Sequence, residues 1–436
     1  MDRRSALSNP YKPGPGHFPP HLAGRVGEQN YFARVLREKQ PNCNFLITGL
    51  RGFGKTVFLE RLRVMAEAGG WLWISNDLSE SSSLSEERLA TRILTDLAQA
   101  IAFKLSINGD GSRATKDASV GGGTSAEEFG ADINVFAAMK GVYENSPGLP
   151  TDRLKAVLNR ACALAARARS SGLVLAYDEA QCLTDHVERN EYPMSMLVET
   201  IGSLQKNSSI SPMLLVLSGL PHVQDALIET RTYTERMFYV MHLDRLSREE
   251  SVAALAKPLE NLVPPLHVTQ DLIEKLADLS GGYPYLIQFF GKELIEKVLA
   301  NGGSLSADAF PDLATLSRLD AGLFGARWNK TTDKQREALG MLAKRVTRSA
   351  REFSAQELSG LSNGELSNAQ ASQMLQALCD RGLIYRTRHG RFAFTVPMSE
   401  EMILRRIKAE EDVAESWQAR DGAAEAPKPR GWRWFR

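Results

Sequence analysis

The sequence predicts an α/β protein in which helices cover a mostly parallel sheet, followed by a helical subdomain and a winged helix-turn-helix. Three patterns predict this order. Short apolar runs alternate with long helical stretches up to about residue 246, helical periodicity alone follows, and three helices and two β-like pieces come last. The 436 residues are 43% apolar and 24% charged, which excludes a mostly disordered, collagenous or fibrous chain. At roughly 150 residues per domain, we expect two or three domains.

Charge and cysteine content limit the partners and the compartment. Lys and Arg number 53 and Asp and Glu 52, so a nucleic-acid or membrane partner would need a local patch. The four cysteines are far apart without CxxC spacing, which argues against a zinc cluster. The first residues have no apolar stretch of signal-peptide length, and no run approaches the length of a membrane span. We therefore expect a cytoplasmic protein without a transmembrane segment.

The first half contains an arm and the sheet domain. Residues 1–20 are rich in Pro and Gly and predict an extended arm, and residues 21–246 predict the core. The stretch 107–150, with three consecutive glycines and many serines, predicts an insertion or mobile loop. The predicted strands are Asn44 to Thr48, Trp71 to Ser75, Leu173 to Tyr177, Met213 to Leu217 and Met237 to Leu243.

The second half is predicted to contain a helical subdomain followed by a winged helix-turn-helix domain. Residues 247–310 predict a helical subdomain without a convincing strand, and residues 320–408 a winged helix. Its recognition helix is predicted over Asn368 to Cys379, and its two β-like pieces are Leu383 to Arg386 and Arg391 to Val396. The tail, residues 409–436, is predicted to be disordered up to a basic aromatic cluster at its end.

A phosphate-binding loop follows the first predicted strand and precedes a helical stretch. Its residues fit G-x-x-x-x-G-K-[ST] at every fixed position. In such a loop the backbone N–H groups face phosphates, Lys55 reaches the β and γ phosphates, and Thr56 binds magnesium. The fold class predicted is thus a P-loop nucleoside triphosphatase with a three-layer parallel sheet. The loop residues are Gly49, Leu50, Arg51, Gly52, Phe53, Gly54, Lys55 and Thr56.

Two carboxylates follow the third predicted strand. Asp178 would hold magnesium and Glu179 would act as general base toward the attacking water. The alternative is that the pair caps a helix opening at Ala180. Together with the phosphate loop, this pair predicts Mg-dependent ATP hydrolysis with ATP and Mg²⁺ as cofactors.

Two further residues are candidates for catalysis. Ser218, after the fourth predicted strand, could orient the water, although a turn or helix-capping serine explains it equally well. Arg236, just before the fifth predicted strand, could neutralise γ-phosphate charge in its own or a neighbouring subunit, or form a structural salt bridge.

Four short runs give the chain a family resemblance over residues 20–405. It resembles AAA+/STAND-type ATPases of the archaeal-ATPase and origin-recognition-like branch, of the bacterial ATP-binding protein type. The runs are Leu22-Ala23-Gly24-Arg25 with Glu28, Asp178-Glu179-Ala180-Gln181, Gly281-Gly282-Tyr283-Pro284-Tyr285 and Phe394-Thr395-Val396-Pro397.

The resemblance implies further nucleotide contacts. Gly24 and Arg25 would lie over the adenine, and Tyr283 with Pro284 would begin a lid helix that touches the nucleotide. Read from the residues alone, the second run is a helix stop followed by proline at a helix start. Where many AAA+ members have Asn this chain has Ser218, and the lid helix has no clear arginine. Slow hydrolysis and a switch-like role follow from these departures.

Three functional hypotheses compete. The first is an ATP-dependent switch or motor whose winged helix binds DNA. The second is a STAND-like signalling or scaffold ATPase whose winged helix contacts protein. A metabolic kinase is disfavoured, because no separate acceptor-binding domain is visible. An arginine acting in trans would also require self-association.

The DNA hypothesis rests on local charge. From Arg327 to Glu410 there are 15 Lys or Arg and nine Asp or Glu, a net of +6, and Arg386, Arg388 and Arg391 flank the proposed wing turn. The predicted recognition helix has amide side chains but no Lys or Arg, so weak and salt-sensitive binding is expected. The alternative is a solvated basic face on a protein-binding domain.

Overall fold

The structure is a computed structural model of the 436-residue chain. It describes residues 8–420 except 15, 42, 108–123, 207–211, 231–233, 264, 303, 306 and 347–350, and within this range the side chains of 106–107, 124–134 and 413–420 are left undescribed. The described chain forms two compact units. One comprises residues 14–18 and 24–244, and the other comprises residues 8–13, 19–23 and 245–420, with the gaps given above. The predicted boundaries at 246, 310 and 320 stay predictions.

The first unit is built on a five-stranded parallel sheet, as predicted. The strand order is β2-β3-β4-β1-β5, and every pairing in it is parallel. The inner strands are buried along their whole length because helices cover both faces, as the apolar runs indicate. The strands are β1 (Asn44–Thr48), β2 (Leu72–Asp77), β3 (Leu173–Asp178), β4 (Met213–Gly219) and β5 (Phe238–His242).

Among the described residues, eight α-helices accompany this sheet. They bury a continuous core with the sheet, in which Leu46, Leu175 and Leu215 are at most 1% exposed. The helices are α1 (Val26–Val35), α2 (Lys55–Ala68), α3 (Glu86–Ile107), α4 (Thr124–Asn145), α5 (Pro150–Arg167), α6 (Pro193–Gln205), α7 (His222–Thr230) and α8 (Thr234–Met237).

Helix α4 lies inside the stretch that was predicted to be an insertion or mobile loop. The prediction of a loop is wrong for residues 124–145, which are helical. The helix packs against α3 and α5, and its Met139 and Tyr143 are buried. The serines and glycines that suggested a loop lie mostly in 108–123, outside the described residues.

The second unit begins with a helical part. Its helices pack through buried apolar stripes such as that of α10. The Thr269 side chain caps the amino-terminal end of this helix, and Gly281 in a left-handed conformation ends it. Contrary to the prediction, this part contains a small parallel pair, β6 with β7. The elements are α9 (Arg248–Glu260), β6 (His267–Val268), α10 (Gln270–Ser280), α11 (Pro284–Ala300), β7 (Ser304–Leu305), α12 (Leu313–Leu319) and α13 (Ala326–Trp328).

The same unit ends in three helices, an antiparallel hairpin and a fourth, longer helix, and the three helices with the hairpin are compatible with the predicted winged helix. Each of the three helices opens with a capping box, from Thr332, Ser354 and Ser367. The last helix continues to Arg420, so the predicted disorder is wrong for 410–420; Trp328 Nε1 donates to Glu410 Oε1 at 2.8 Å there. The basic aromatic cluster lies outside the described residues. The elements are α14 (Asp333–Arg345), α15 (Ala355–Leu361), α16 (Asn368–Asp380), β8 (Ile384–Arg388), β9 (Arg391–Phe394) and α17 (Ser399–Arg420).

The described part of the amino-terminal arm has no helix or strand, yet it is anchored. Tyr11 is only 1% exposed and its hydroxyl donates to the Leu255 carbonyl of α9. Asn9 Nδ2 donates to Lys292 O at 3.0 Å. The Tyr11 ring lies so close to Gly291 that a Cβ at that position would be 2.4 Å from it. The arm is therefore packed into the second unit.

Helix length and apolarity bear on membrane insertion. Among the described residues, no helix is both long and apolar enough to cross a bilayer.

Candidate nucleotide-binding site

The parallel strands bring the predicted site residues to one edge of the sheet. Thr48 at the end of β1 is in register with Gly219 of β4 and with His242 of β5. Asp178 at the end of β3 is in register with Asp77 of β2. Because the carboxyl ends of parallel strands meet at a common edge, the phosphate loop, the carboxylates and Ser218 lie together there.

The phosphate loop joins β1 to α2 with the predicted backbone geometry. Gly52 and Gly54 have φ angles of 85° and 83°, a region that side chains disfavour. At Gly49 a Cβ would be 2.6 Å from the Leu243 carbonyl, so only glycine fits beside β5. Helix α2 begins at Lys55, and its first N–H groups therefore open toward the loop.

Lys55 lies over its own loop. Its Nζ donates to Gly49 O at 2.8 Å and to Leu50 O at 3.1 Å. Burial lowers the pKa of the ammonium and Arg51 adds to this effect, while Asp178 and Glu179 oppose it. A phosphate group in the loop would supply the negative charge that a buried ammonium lacks.

Asp178 connects the loop to the end of β3. The carboxylate is 3% exposed; its Oδ2 accepts from Thr56 Oγ1 at 2.6 Å and its Oδ1 from Ser218 Oγ at 2.8 Å. Ser218 lies inside β4 and is fully buried, so the interpretation as a turn or helix-capping serine is wrong. A hydroxyl and a carboxylate oxygen at this separation are ligands that magnesium takes, and this donor set fits the ion.

Glu179 follows Asp178 in a left-handed conformation, with φ of 54°. Its N–H donates to Asp178 Oδ1 at 2.9 Å, and its Oε2 accepts from Gln181 Nε2. The side chain is exposed at the sheet edge. It is thus engaged by Gln181 rather than by a helix cap, which disfavours the capping interpretation of the pair.

The sequence interpretation gave no role to four residues at this edge. Gln181 belongs to the Asp178-Glu179-Ala180-Gln181 run that contributes to the family resemblance, but the sequence assigned it no role. Burial raises the pKa of the Asp77 carboxyl, and the charges of Asp178 and Glu179 raise it further. Thr48 Oγ1 and His242 Nδ1 are 2.6 Å apart. Register between strands places Asp77 and His242 here, so the signal is the strand alignment rather than a motif.

Arg236 lies at the other end of the sheet. It is exposed in α8, directly before the start of β5, whereas the phosphate loop follows the end of β1. Since β1 and β5 are parallel, the length of a strand separates Arg236 from the phosphate loop of its own chain. This geometry leaves only a neighbouring subunit for the proposed catalytic role.

The residues implied by family resemblance lie in both units. Gly24 and Arg25 precede α1 with φ angles of 71° and 62°, and Arg25 Nη2 donates to the Asp244 carbonyl. Pro284 is the first residue of α11, and Tyr283, 2% exposed, is its N-cap. Burial raises the pKa of the Tyr283 hydroxyl to about 12. The nucleotide contacts of these four residues stay predictions.

The comparisons with known proteins agree with this architecture. Residues 321–403 match a family described as a domain of unknown function (DUF8462). No curated protein matches the chain. The structure is similar to the ORC2 protein of Aeropyrum pernix in ADPNP–ADP complexes, at 16% identity and a TM-score of 0.55, over 92% of this chain and 98% of that one.

A second similar structure is the Walker-type ATPase PABY2304 of Pyrococcus abyssi. It is 16% identical with a TM-score of 0.51, and the match covers 88% of this chain and 96% of that chain. At this identity the likeness establishes the fold. The predicted fold class, a P-loop three-layer sheet of the AAA+ type, is confirmed, and the resemblance to origin-recognition-like ATPases holds at that level.

Proposed function

We propose that this protein binds ATP with magnesium and hydrolyses it slowly, as a nucleotide-controlled switch. The observation that carries the proposal is the 2.6 Å hydrogen bond between Thr56 Oγ1 and Asp178 Oδ2. It joins a complete phosphate loop to a buried carboxylate 122 residues away in the sequence, at the edge where P-loop proteins bind nucleotide. The similar Aeropyrum pernix structure holds ADPNP and ADP, which supports the same ligand class here.

Each site residue has a role in this proposal. Lys55 and the loop amides bind the phosphates, and Thr56 with Asp178 would hold magnesium, which supplies charge compensation between the phosphates. Glu179 accepts a proton from the attacking water. Ser218 fixes Asp178 through its hydroxyl. The hydroxyl of this buried serine donates its one proton to Asp178, so it has no proton left to donate to the attacking water. Slow turnover is therefore expected.

Two substitutions test the proposal. Lys55→Ala removes the ammonium that faces the phosphates and should abolish binding of a fluorescent ATP analogue. Glu179→Gln keeps the shape of the side chain but cannot accept the proton, so binding should persist while phosphate release stops. If Glu179→Gln hydrolyses ATP at the wild-type rate, the assignment of the general base is wrong.

We further propose that the winged helix binds DNA weakly. Arg386 and Arg388 are exposed on the hairpin of β8 and β9, the wing of the predicted winged helix, and they could contact phosphates. Helix α16 exposes Gln373 and Gln376 but no Lys or Arg, so little base reading is expected. The basic surplus of this region supports a salt-sensitive interaction without sequence specificity.

A specific observation favours the alternative, a protein partner. Arg388 Nη2 is 3.1 Å from Glu352 Oε2, and Arg391 Nη1 is 3.2 Å from Glu357 Oε2. Glu357 also pairs with Arg345 at 2.6 Å. Acids of the same domain thus neutralise part of the charge that a DNA phosphate would meet, as a solvated protein-binding face would show.

A salt series with duplex DNA and the full chain separates these readings. Arg386→Ala should lower the slope of log affinity against log salt by about one, and Glu352→Gln, which releases Arg388, should strengthen binding. Arg189→Ala, an exposed arginine of the first unit, is the control. No DNA affinity at low salt in any variant would leave the protein-partner reading.

A further inference from the structure

We propose that Gln181 is a positioning residue for Glu179, and that it ties the general base to the end of β4. The inference rests on the proposed hydrolysis. One amide group makes both connections: Gln181 Nε2 donates to Glu179 Oε2, and Gln181 Oε1 accepts from Leu220 N at 3.2 Å. The side chain therefore bridges β3 and the residue that follows β4.

The backbone around Gln181 is shaped for this bridge. Glu179 adopts φ of 54°, which turns the chain after β3, and residues 180–182 form a single 3₁₀ turn. The turn brings position 181 back toward its neighbour at 179. A left-handed non-glycine residue costs free energy, so the surrounding contacts must hold it, and the Gln181 bridge is one of them.

Gly219 makes room for the amide. A Cβ at position 219 would lie 3.0 Å from Gln181 Oε1 and 2.8 Å from a Val223 methyl. The absence of a side chain there lets the Gln181 carbonyl approach the backbone of β4's end. The preceding residue, Ser218, holds Asp178, so β4 reaches both carboxylates, one directly and one through Gln181.

The arrangement has a defined chemical consequence. Glu179 is exposed, and a free glutamate side chain samples several rotamers. An amide N–H that donates to one carboxylate oxygen restricts that sampling and leaves the other oxygen for water. Gln181 itself takes up no proton and contacts no phosphate in this role. It contributes orientation, and misplacing a catalytic group by about 1 Å can lower the rate by on the order of 100-fold.

Two variants of Gln181 and one control variant test the bridge. Gln181→Leu removes both hydrogen bonds at similar volume. Gln181→Glu keeps an oxygen that accepts from Leu220 N but loses the donor to Glu179. Gln270→Leu is the matched control, because Gln270 also donates to a glutamate, Glu274, at 3.0 Å, on a helix of the other unit. Steady-state hydrolysis and binding of a non-hydrolysable ATP analogue are measured for each.

We expect Gln181→Leu and Gln181→Glu to lower kcat about 10-fold or more with KM and analogue affinity unchanged. Gln270→Leu should match the wild type. A kcat that is unchanged or raised in the Gln181 variants overturns the inference.

The proposed function and this inference fail differently. A wild-type protein that binds no ATP, or binds it without hydrolysis under any magnesium concentration, overturns the proposed hydrolysis and the inference with it. Normal wild-type turnover with Gln181 variants that match the control overturns only the positioning role.

Discussion

Both oxygens of Asp178 accept hydrogen bonds from other parts of the chain, and Oδ1 also accepts one from the next residue. Oδ2 accepts from Thr56 in the phosphate loop, and Oδ1 accepts from Ser218 in β4 and from the N–H of Glu179. A buried carboxylate with three hydrogen bonds has a fixed orientation, which keeps its charge aimed at the loop. The carboxyl of Asp77, on the neighbouring strand β2, has a raised pKa, and its titration therefore reports the electrostatics of this edge of the sheet.

Asp77 gives a prediction for the pH dependence of stability. Burial, and then Asp178 and Glu179, raise the pKa of its carboxyl. A carboxyl whose pKa is raised by folding stabilises the fold while protonated, and this contribution is lost as the pH rises through the raised pKa. Asp77→Asn should therefore raise the Tm at pH 7, and the gain should disappear below about pH 4.

The same variant has an internal control. In a Glu179→Gln background one repelling charge is gone, so the gain from Asp77→Asn at pH 7 should shrink. Thermal unfolding followed by circular dichroism between pH 3 and pH 8 measures both. A gain of equal size at every pH would show that packing, rather than charge, explains the effect.

At the scale of elements, the anchored arm is the feature with the clearest energetic consequence. Tyr11 is as buried as a core residue, and truncation of a buried aromatic side chain typically costs about 3–5 kcal/mol. Tyr11→Ala should lower the free energy of unfolding of the second unit by about that amount. Tyr11→Phe removes only the hydrogen bond to Leu255 O and should cost about 1 kcal/mol.

A glycine substitution tests the same pocket from the other side. Gly291→Ala would place a methyl group 2.4 Å from the Tyr11 ring and should expel the arm. Chymotrypsin should then cleave after Tyr11, a bond that burial protects in the wild type. Gly360→Ala, at a helical glycine with open space around it, is the control. Continued protection in Gly291→Ala would contradict the packing described for the arm.

The elements also show which features the sequence could predict. Each of the five sheet strands lies within two residues of its predicted bounds, because buried parallel strands are apolar runs between turn signals. The phosphate loop and Asp178 are readable because their chemistry demands fixed residue types. The Tyr11 anchor and the Gln181 bridge are not, since each depends on contacts that only the folded backbone creates. Helix α4 was not predicted because the serines and glycines that precede it indicate a loop.

At the scale of the whole molecule, Arg236 requires a second copy of the chain to act in catalysis. It lies at the opposite end of β5 from the phosphate loop of its own subunit. If it completes the site of a neighbour, hydrolysis per subunit should rise with protein concentration, and Arg236→Ala should lower turnover more than about 10-fold with little loss of ATP affinity.

Mass measurement in ATP and in ADP accompanies that experiment. Arg189→Ala, another exposed arginine of the first unit, should behave as the wild type. A strictly monomeric protein whose activity is independent of concentration and of Arg236 would remove the trans role and leave Arg236 as a structural residue.

The anchored arm also affects the order in which the chain can fold. Tyr11 and the Leu255 carbonyl that it reaches are 244 residues apart. At synthesis rates of roughly 5–20 residues per second, the arm leaves the ribosome tens of seconds before its pocket exists. Its aromatic ring is exposed during that time, available to a chaperone or to a second nascent chain. Tyr11 is thus synthesised well before the residues that bury it, and a fragment beginning after residue 23 would leave the space beside Gly291 unfilled.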